Sequence, residues 1–273
     1  MKISCGDLAA ILAPDWGGRM LRLIHASAGD LLYPCAAESF DRLRWPKGGG
    51  YPLFPYHGRM GNAAFPWDGG QARLAAHPDA APHSLHGPAH RTPWEVDDHG
   101  TDRATLRCLY AADEDWPWSF EARQVFRLDE TGLSVTLEII NRDHRDMPAG
   151  VGWHPYFPRA ETIVSDARWQ WPHDDDGLPT GERHRPGPLQ AATSSLSGWG
   201  YVDLALSGGA KLRITAPVGM DHLVIHDNPR GYTCVEPVSH LTNAPNMDAA
   251  PQMARLAPGA SLSGEVRLTL LPG

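Results

Sequence analysis

Two short segments of this chain hold groups able to exchange protons: Gly152-Trp153-His154-Pro155-Tyr156-Phe157 and Cys234-Val235-Glu236-Pro237-Val238-Ser239-His240. Each sets one titratable residue directly before a proline, inside an apolar, aromatic-rich run. A histidine gives a proton near neutral pH, and a glutamate takes one when its surroundings raise its pKa modestly. An acid and a base held on separate strands suit a reaction that moves one proton on and another off the same small molecule. Pro155 restricts the backbone of His154 to extended conformations, which narrows where the imidazole points. Glu236 follows the apolar run Tyr232-Thr233-Cys234-Val235, where a carboxylate is costly to bury without partners. That places it at a mouth or in a hydrogen-bonded site, with its pKa raised by partial burial. Taken singly, each has a plainer reading: a core histidine bonded to a backbone carbonyl, and a strand-end glutamate facing water.

Other segments offer polar groups. Gly48 to Asn62 is too rich in Gly and Pro for a regular strand and reads as a shaped loop presenting Arg59 from an aromatic bed. An Arg there can offer fixed donors to sugar hydroxyls or a carboxylate, or simply stack on Tyr56 or Phe54. His83, His86 and His90 invite a metal reading, but Gly87 and Pro88 break the helix that would align His86 with His90, and no Cys or carboxylate completes a set nearby. His83 and His90 read as solvated loop histidines. Asp174-Asp175-Asp176 reads as a solvated turn without a calcium-loop pattern. The chain has no G-x-S-x-G elbow, P-loop, or G-x-G-x-x-G after a strand.

The elements that must position these groups are strands. Phe120 to Leu128 alternates, Asp129-Glu130-Thr131-Gly132 turns, and Leu133, Val135, Leu137 and Ile139 alternate with polar residues, which together predict a hairpin with one buried face. Similar signals occur at residues 104–110, 201–206, 210–215, 222–226 and 264–271, with Gly208-Gly209 as a tight turn. No segment keeps a helical apolar period over three turns. Many short strands imply antiparallel sheets packed on each other, with a barrel as the rival. The 273 residues, 42% of them apolar, supply enough material for a real core, and 28 Gly and 25 Pro fit many turns. With no repeat or linker, residues 1–273 read as a single domain, and the polar stretch from Pro172 to Ser197 reads as a surface excursion.

Net charge is −8 and the basic residues are dispersed, with Lys only at 2, 47 and 211, so no stripe exists to track nucleic acid. The spacing of Cys5, Cys35, Cys108 and Cys234 matches no zinc or redox motif, and Cys108 and Cys234 read as buried thiols. The first residues show no long apolar signal region, and no apolar stretch reaches the ~18 residues of a membrane span. A cytoplasmic location without membrane or nucleic-acid partners is the expectation.

Four segments together resemble the aldose 1-epimerase (galactose mutarotase) family: Phe54-Pro55 through Arg59 and Asn62; His86-Gly87 followed by Trp94; His154-Pro155-Tyr156-Phe157; and Glu236-Pro237. They occur in the family's order over about residues 45 to 245, and the His-Pro-Tyr-Phe form is similar to a bacterial subgroup. The resemblance implies an all-β, galactose-mutarotase-like β-sandwich (a supersandwich of large twisted antiparallel sheets). It implies Glu236 as general base on the anomeric hydroxyl and His154 as general acid on the ring oxygen. The ring opens to the aldehyde, the C1–C2 bond rotates, and closure gives the other anomer. His86 and Arg59 would bind or polarise sugar oxygens, and such a reaction needs no metal and no cofactor. Asp203 is the candidate for the family's hydroxyl-binding Asp. With no Gln between 191 and 251, His222 is the candidate for its late-strand Gln. The partner implied is a small sugar, bound by a monomer or a homodimer. Two alternatives remain: a hexose-6-phosphate mutarotase, for which Arg59 and Arg91 are the visible cations, and a non-catalytic sugar-binding protein on the same fold.

Overall fold

The computed structural model describes residues 1–189, 193–228, 231–248, 250 and 252–272. The expected β architecture is present, and the helical segments among the described residues are short 3-10 turns such as Pro88–Arg91 and Ala244–Asn246. None of them is long and apolar enough to cross a membrane.

Two large antiparallel sheets dominate. The first runs in the order Lys2–Cys5, Leu8–Ala13, Arg19–His25, Gly50–Leu53, Gly152–Pro158, Tyr232–Val238, His222–Asn228, Thr193–Ser197 and Trp169–Trp171, with Gly29–Asp30 paired to Arg19–His25. The second runs Glu95–His99, Arg103–Tyr110, Phe120–Asp129, Gly132–Asn141, Ser261–Leu271, Lys211–Val218, Val202–Leu206 and Ala160–Ser165. One apolar cluster takes residues from both, among them Leu12, Met20, Trp153 and Ile225 from the first and Phe126, Leu137, Ile214 and Val266 from the second.

The period-two reading accounts for this packing. In Phe120–Asp129 and Gly132–Asn141 the buried apolar side chains are Phe120, Ala122, Phe126 and Leu128, and Leu133, Val135, Leu137 and Ile139. The turn between them closes on Asp129, whose Oδ1 accepts the Thr131 and Gly132 backbone N–H groups at 2.8 and 3.1 Å. Gly208-Gly209 joins Val202–Leu206 to Lys211–Val218 as expected.

Three local expectations need correcting. Residues Gly50–Leu53 form a regular strand despite their Gly and Pro content, because Gly50 lies against the Trp153 ring where a side chain would not fit. Glu236 is not at a strand end: Tyr232–Val238 continues through it as a buried central strand. The excursion from Pro172 to Ser197 ends in Thr193–Ser197, a strand hydrogen-bonded within the first sheet.

Candidate active site

The site grows from the centre of the first sheet. Gly152 pairs with Val238 and Tyr156 with Cys234. That constant register sets His154 directly opposite Glu236. Pro155 and Pro237, which have no N–H, interrupt the ladder at this point. On the other side His154 pairs with Tyr51, while Glu236 pairs with Val224 and Val224 with Ser195. One row of side chains therefore crosses four neighbouring pairs: Tyr51, His154, Glu236, Val224, Ser195. The next row, two residues along each strand and on the same face, is Tyr156, Cys234, His226, Thr193. Apart from Tyr51, these residues floor a cavity of about 290 Å³.

Its wall comes from the two loop motifs. The His86 N–H donates to the Gly58 carbonyl at 2.8 Å, and the Gly87 N–H to the Tyr56 carbonyl at 2.9 Å. Arg59 pairs with Leu85. Gly87 is required by close approach, since a Cβ there would lie 1.9 Å from the Phe54 carbonyl oxygen. This zipper brings His57, Gly58, Arg59, Leu85 and His86 to the cavity, and Lys47, His173, Gly177, Tyr232 and Thr242 complete it. His86 sits at φ +51°, a left-handed conformation that costs a non-glycine residue on the order of 1 kcal/mol.

His154 Nε2 lies 3.2 Å from Glu236 Oε1, and both residues are buried. The imidazole packs against two rings, Tyr51 at 4.6 Å and Tyr156 at 4.8 Å, which themselves lie 6.2 Å apart. Behind Tyr51 lies the fully buried Arg19, its guanidinium 4.4 Å from the ring centroid and one nitrogen donating to the Gly48 carbonyl at 2.8 Å. Burial pushes Glu236 up to about 8, against a smaller opposing pull from Lys47. Burial, with His86, Lys47 and Arg19 adding to it, holds His154 well below the ordinary histidine value. Both groups are thus driven toward their uncharged forms, and at neutral pH the pair shares one proton. His86 Nδ1 accepts the Gly58 N–H at 3.0 Å, so a neutral His86 carries its proton on Nε2, as a donor. Burial first, and then the cations Lys47, Arg91 and Arg59 with His77, depress its pKa to about 3, which keeps it neutral.

Of the residues singled out from the sequence, His154, Glu236, His86 and Arg59 all line this one cavity. Asp203 does not. It lies on the other large sheet, held by Arg213 through two hydrogen bonds of 2.7 Å, and so is excluded from the cavity by its strand's place in the sheet order. His222 is buried on the strand that carries Val224 and His226 but stands outside the lining. His83 and His90 are buried, not solvated. His83 Nδ1 accepts the Asn62 N–H at 2.9 Å, and His90 packs against Trp45 at 4.5 Å and Tyr51 at 5.0 Å. Arg91 pairs with Asp115 at 3.3 Å and does not line the cavity. Sequence reasoning passed over Lys47, Tyr156, Cys234, His226 and Ser195. For Tyr156 and Cys234 a signal existed, because each is two residues from a proton-transfer candidate on a strand and shares its face. Among the described residues, one group of His, Cys, Asp and Glu side chains has donor atoms close enough to converge on a cation: His154, Cys234 and Glu236.

Comparison with known proteins identifies the family and the fold. Residues 2–194 match the model of the family described as aldose 1-epimerase. An uncharacterised protein of Escherichia coli K12, YphB, is 27% identical over 242 residues, covering 80% of this chain and 82% of that one. A galactose mutarotase-like protein of Clostridium acetobutylicum superposes with a TM-score of 0.86 at 19% identity, over 100% of this chain and 95% of the other. The GalM/aldose epimerase homologue of C. elegans gives 0.81 at 16% identity, over 99% and 98%. At these identities the two structures speak for the fold, while the match over residues 2–194 establishes that the chain belongs to the aldose 1-epimerase family.

Proposed function

We propose that this protein interconverts the α and β anomers of a free aldose by general acid–base ring opening and closure. The observation that carries the reading is the His154 Nε2–Glu236 Oε1 approach of 3.2 Å on the floor of a cavity of about 290 Å³. That volume is at the small end for ligand pockets and suits a monosaccharide. The active form has the shared proton on His154. Glu236 takes the proton of the anomeric hydroxyl, the C1–O5 bond breaks, and His154 protonates O5. The proton then resides on Glu236, and the pair has neither gained nor lost one. Rotation about C1–C2 and the reverse transfers close the ring as the other anomer. The product arrangement, neutral imidazole and neutral carboxyl, is the one burial favours, so the step that charges the ring oxygen is followed by a relaxation of the site. In this reading His86, donating from Nε2, and Arg59 hold sugar oxygens, which their place in the cavity lining supports.

Polarimetry of freshly dissolved α-glucose and α-galactose tests this directly. Glu236→Gln and His154→Asn should each slow enzyme-dependent anomer exchange by ~10²–10⁴-fold. Wild-type rates in both variants would remove the pair from the mechanism, and sugar binding without acceleration would favour the non-catalytic module. One observation supports a second reading: of the two cations the sequence offered, Arg59 lines the cavity and Arg91 does not, but Lys47 joins Arg59 there. A phosphorylated aldose would use both. Glucose 6-phosphate run beside glucose in the same assay separates the two substrates.

A further inference from the structure

The cavity floor brings together three donor types that no short sequence motif joins. Cys234, Glu236 and His154 each offer one ligand atom, and these atoms all lie within 4.8 Å of one another. All three residues are buried and line the cavity. The backbone fixes the set: Cys234 and Glu236 are two residues apart on one strand and share a face, and His154 lies opposite Glu236 on the neighbouring strand. Thiolate sulfur, imidazole nitrogen and carboxylate oxygen together suit Zn²⁺, whose bonds to them run about 2.3, 2.0 and 2.1 Å. A tetrahedral ion with those bonds holds its ligand atoms roughly 3.3–3.7 Å apart. His154 Nε2 and Glu236 Oε1, at 3.2 Å, are already close to that spacing. Side-chain rotation must bring Cys234 in by at most about 1.5 Å from the 4.8 Å limit. Because all three residues line the cavity, a fourth ligand such as water would reach the ion from it.

We propose that the cavity floor is a binding site for one zinc-class divalent cation, held by His154 Nε2, Cys234 Sγ and the Glu236 carboxylate, and that the ion takes the place of the sugar. On binding, one proton leaves the thiol and one leaves the His154–Glu236 pair, both to solvent. Thiolate and carboxylate then balance the two positive charges, and the buried complex is neutral. Mg²⁺ and Ca²⁺ are disfavoured because two of the three donors are not oxygen. His154 Nδ1 has no hydrogen-bond partner, so the second-shell support of a dedicated metal centre is missing on that ligand. The ion is therefore a reversible inhibitor rather than a resident cofactor. The three floor residues supply the ligand set, and Arg59 and His86 are not part of it.

Metal-stripped full-length protein titrated with Zn²⁺ by calorimetry should bind about one ion per chain. With Co²⁺ it should show a thiolate-to-cobalt charge-transfer absorption. Cys234→Ser should abolish that band and weaken Zn²⁺ at least about tenfold, and His154→Asn should weaken Zn²⁺ by a similar factor. Cys5→Ser, which alters the thiol that is partly exposed, should change neither. Cys234→Ala serves the same purpose if the Ser variant does not fold. A cobalt band that survives Cys234→Ser, Mg²⁺ binding as tight as Zn²⁺, or no zinc binding at millimolar concentration would overturn the site. None of these readouts uses anomer exchange, so the zinc site and the acid–base reading stand or fall separately.

Discussion

Glu236 and His154 lie where burial opposes charge on both, and this has two consequences that can be measured. The first is kinetic. The pair works with one proton, which it loses as pH rises through about 8, the value to which burial lifts Glu236. A second proton is taken up only well below the ordinary histidine range, because burial also holds His154 down. After subtraction of the uncatalysed rate, kcat/KM should be level from about pH 6.5 to 7.5 and fall about tenfold per unit above about 8. Activity that keeps climbing from pH 7 to pH 9 contradicts the one-proton form. The second consequence is thermodynamic. An unfolded Glu ionises near 4.3 and the folded one near 8, so between those values unfolding releases a proton and stability falls as pH rises. Glu236→Gln removes that cost. Its melting temperature should exceed wild type at pH 8, and the gap should shrink toward pH 5. A variant less stable than wild type at pH 8, or a gap that widens on acidification, would show that Glu236 is not held protonated by its site.

At the level of elements, the sequence exposes local periodicity well and long-range register poorly. The hairpin over residues 120–141 is legible because both strands alternate and the turn residue Asp129 caps its own loop. His154 and Glu236 are legible as candidates because each stands out in an apolar run. Their facing each other is not, because it depends on the register between strands about 80 residues apart. The same gap explains Asp203, whose strand looks suitable until the sheet order assigns it to the other layer. It also explains His83 and His90, which look like loop residues because polar sequence does not reveal that Trp45 and Tyr51 cover His90 or that His83 is buried against the Asn62 N–H. The strand Gly50–Leu53 is hidden in the sequence by Gly50 and Pro52, yet Gly50 is what lets it lie against Trp153. The zipper between residues 54–58 and 86–89 can be tested at Gly87. A Cβ there meets the Phe54 carbonyl oxygen at 1.9 Å, a backbone atom that cannot rotate away. Gly87→Ala should cost about 2–4 kcal/mol and lower the melting temperature by roughly 5–10 °C. Gly208→Ala, where a Cβ meets nothing within 4 Å, should leave it nearly unchanged. Equal melting temperatures for the two variants would mean that the loops are not clamped together.

Over the whole molecule, the unusual quantity is the number of histidines kept neutral by burial. His57, His90 and His154 are held well below the ordinary value, His86 is lowered to about 3, and His222 and His240 to about 4, with desolvation the largest cause in each case. An unfolded histidine takes up its proton near 6.5. As pH falls below that value the unfolded chain gains protons that the folded one refuses, and the stability present at neutral pH is lost until the folded values near 4 and 3 are reached. Each such histidine contributes about 1.4 kcal/mol per pH unit below 6.5, so six acting together remove on the order of 8 kcal/mol per unit. That is comparable to the entire stability of an ordinary domain, about 5–15 kcal/mol. Glu236 works in the opposite direction but is one group against six. The fold should therefore unfold cooperatively as the pH is lowered to about 5, with net uptake of about five protons, six by the histidines less the one Glu236 releases. Calorimetric unfolding in buffers of different ionisation enthalpy counts those protons. His57→Gln or His240→Gln, removing one member of the ring pair 4.6 Å apart at the cavity wall, should reduce the uptake by about one. A melting temperature that is flat from pH 7 to pH 5, with no proton uptake, would show that these imidazoles are solvated enough to charge in place, and the dry interior on which the acid–base pair depends would have to be given up with them.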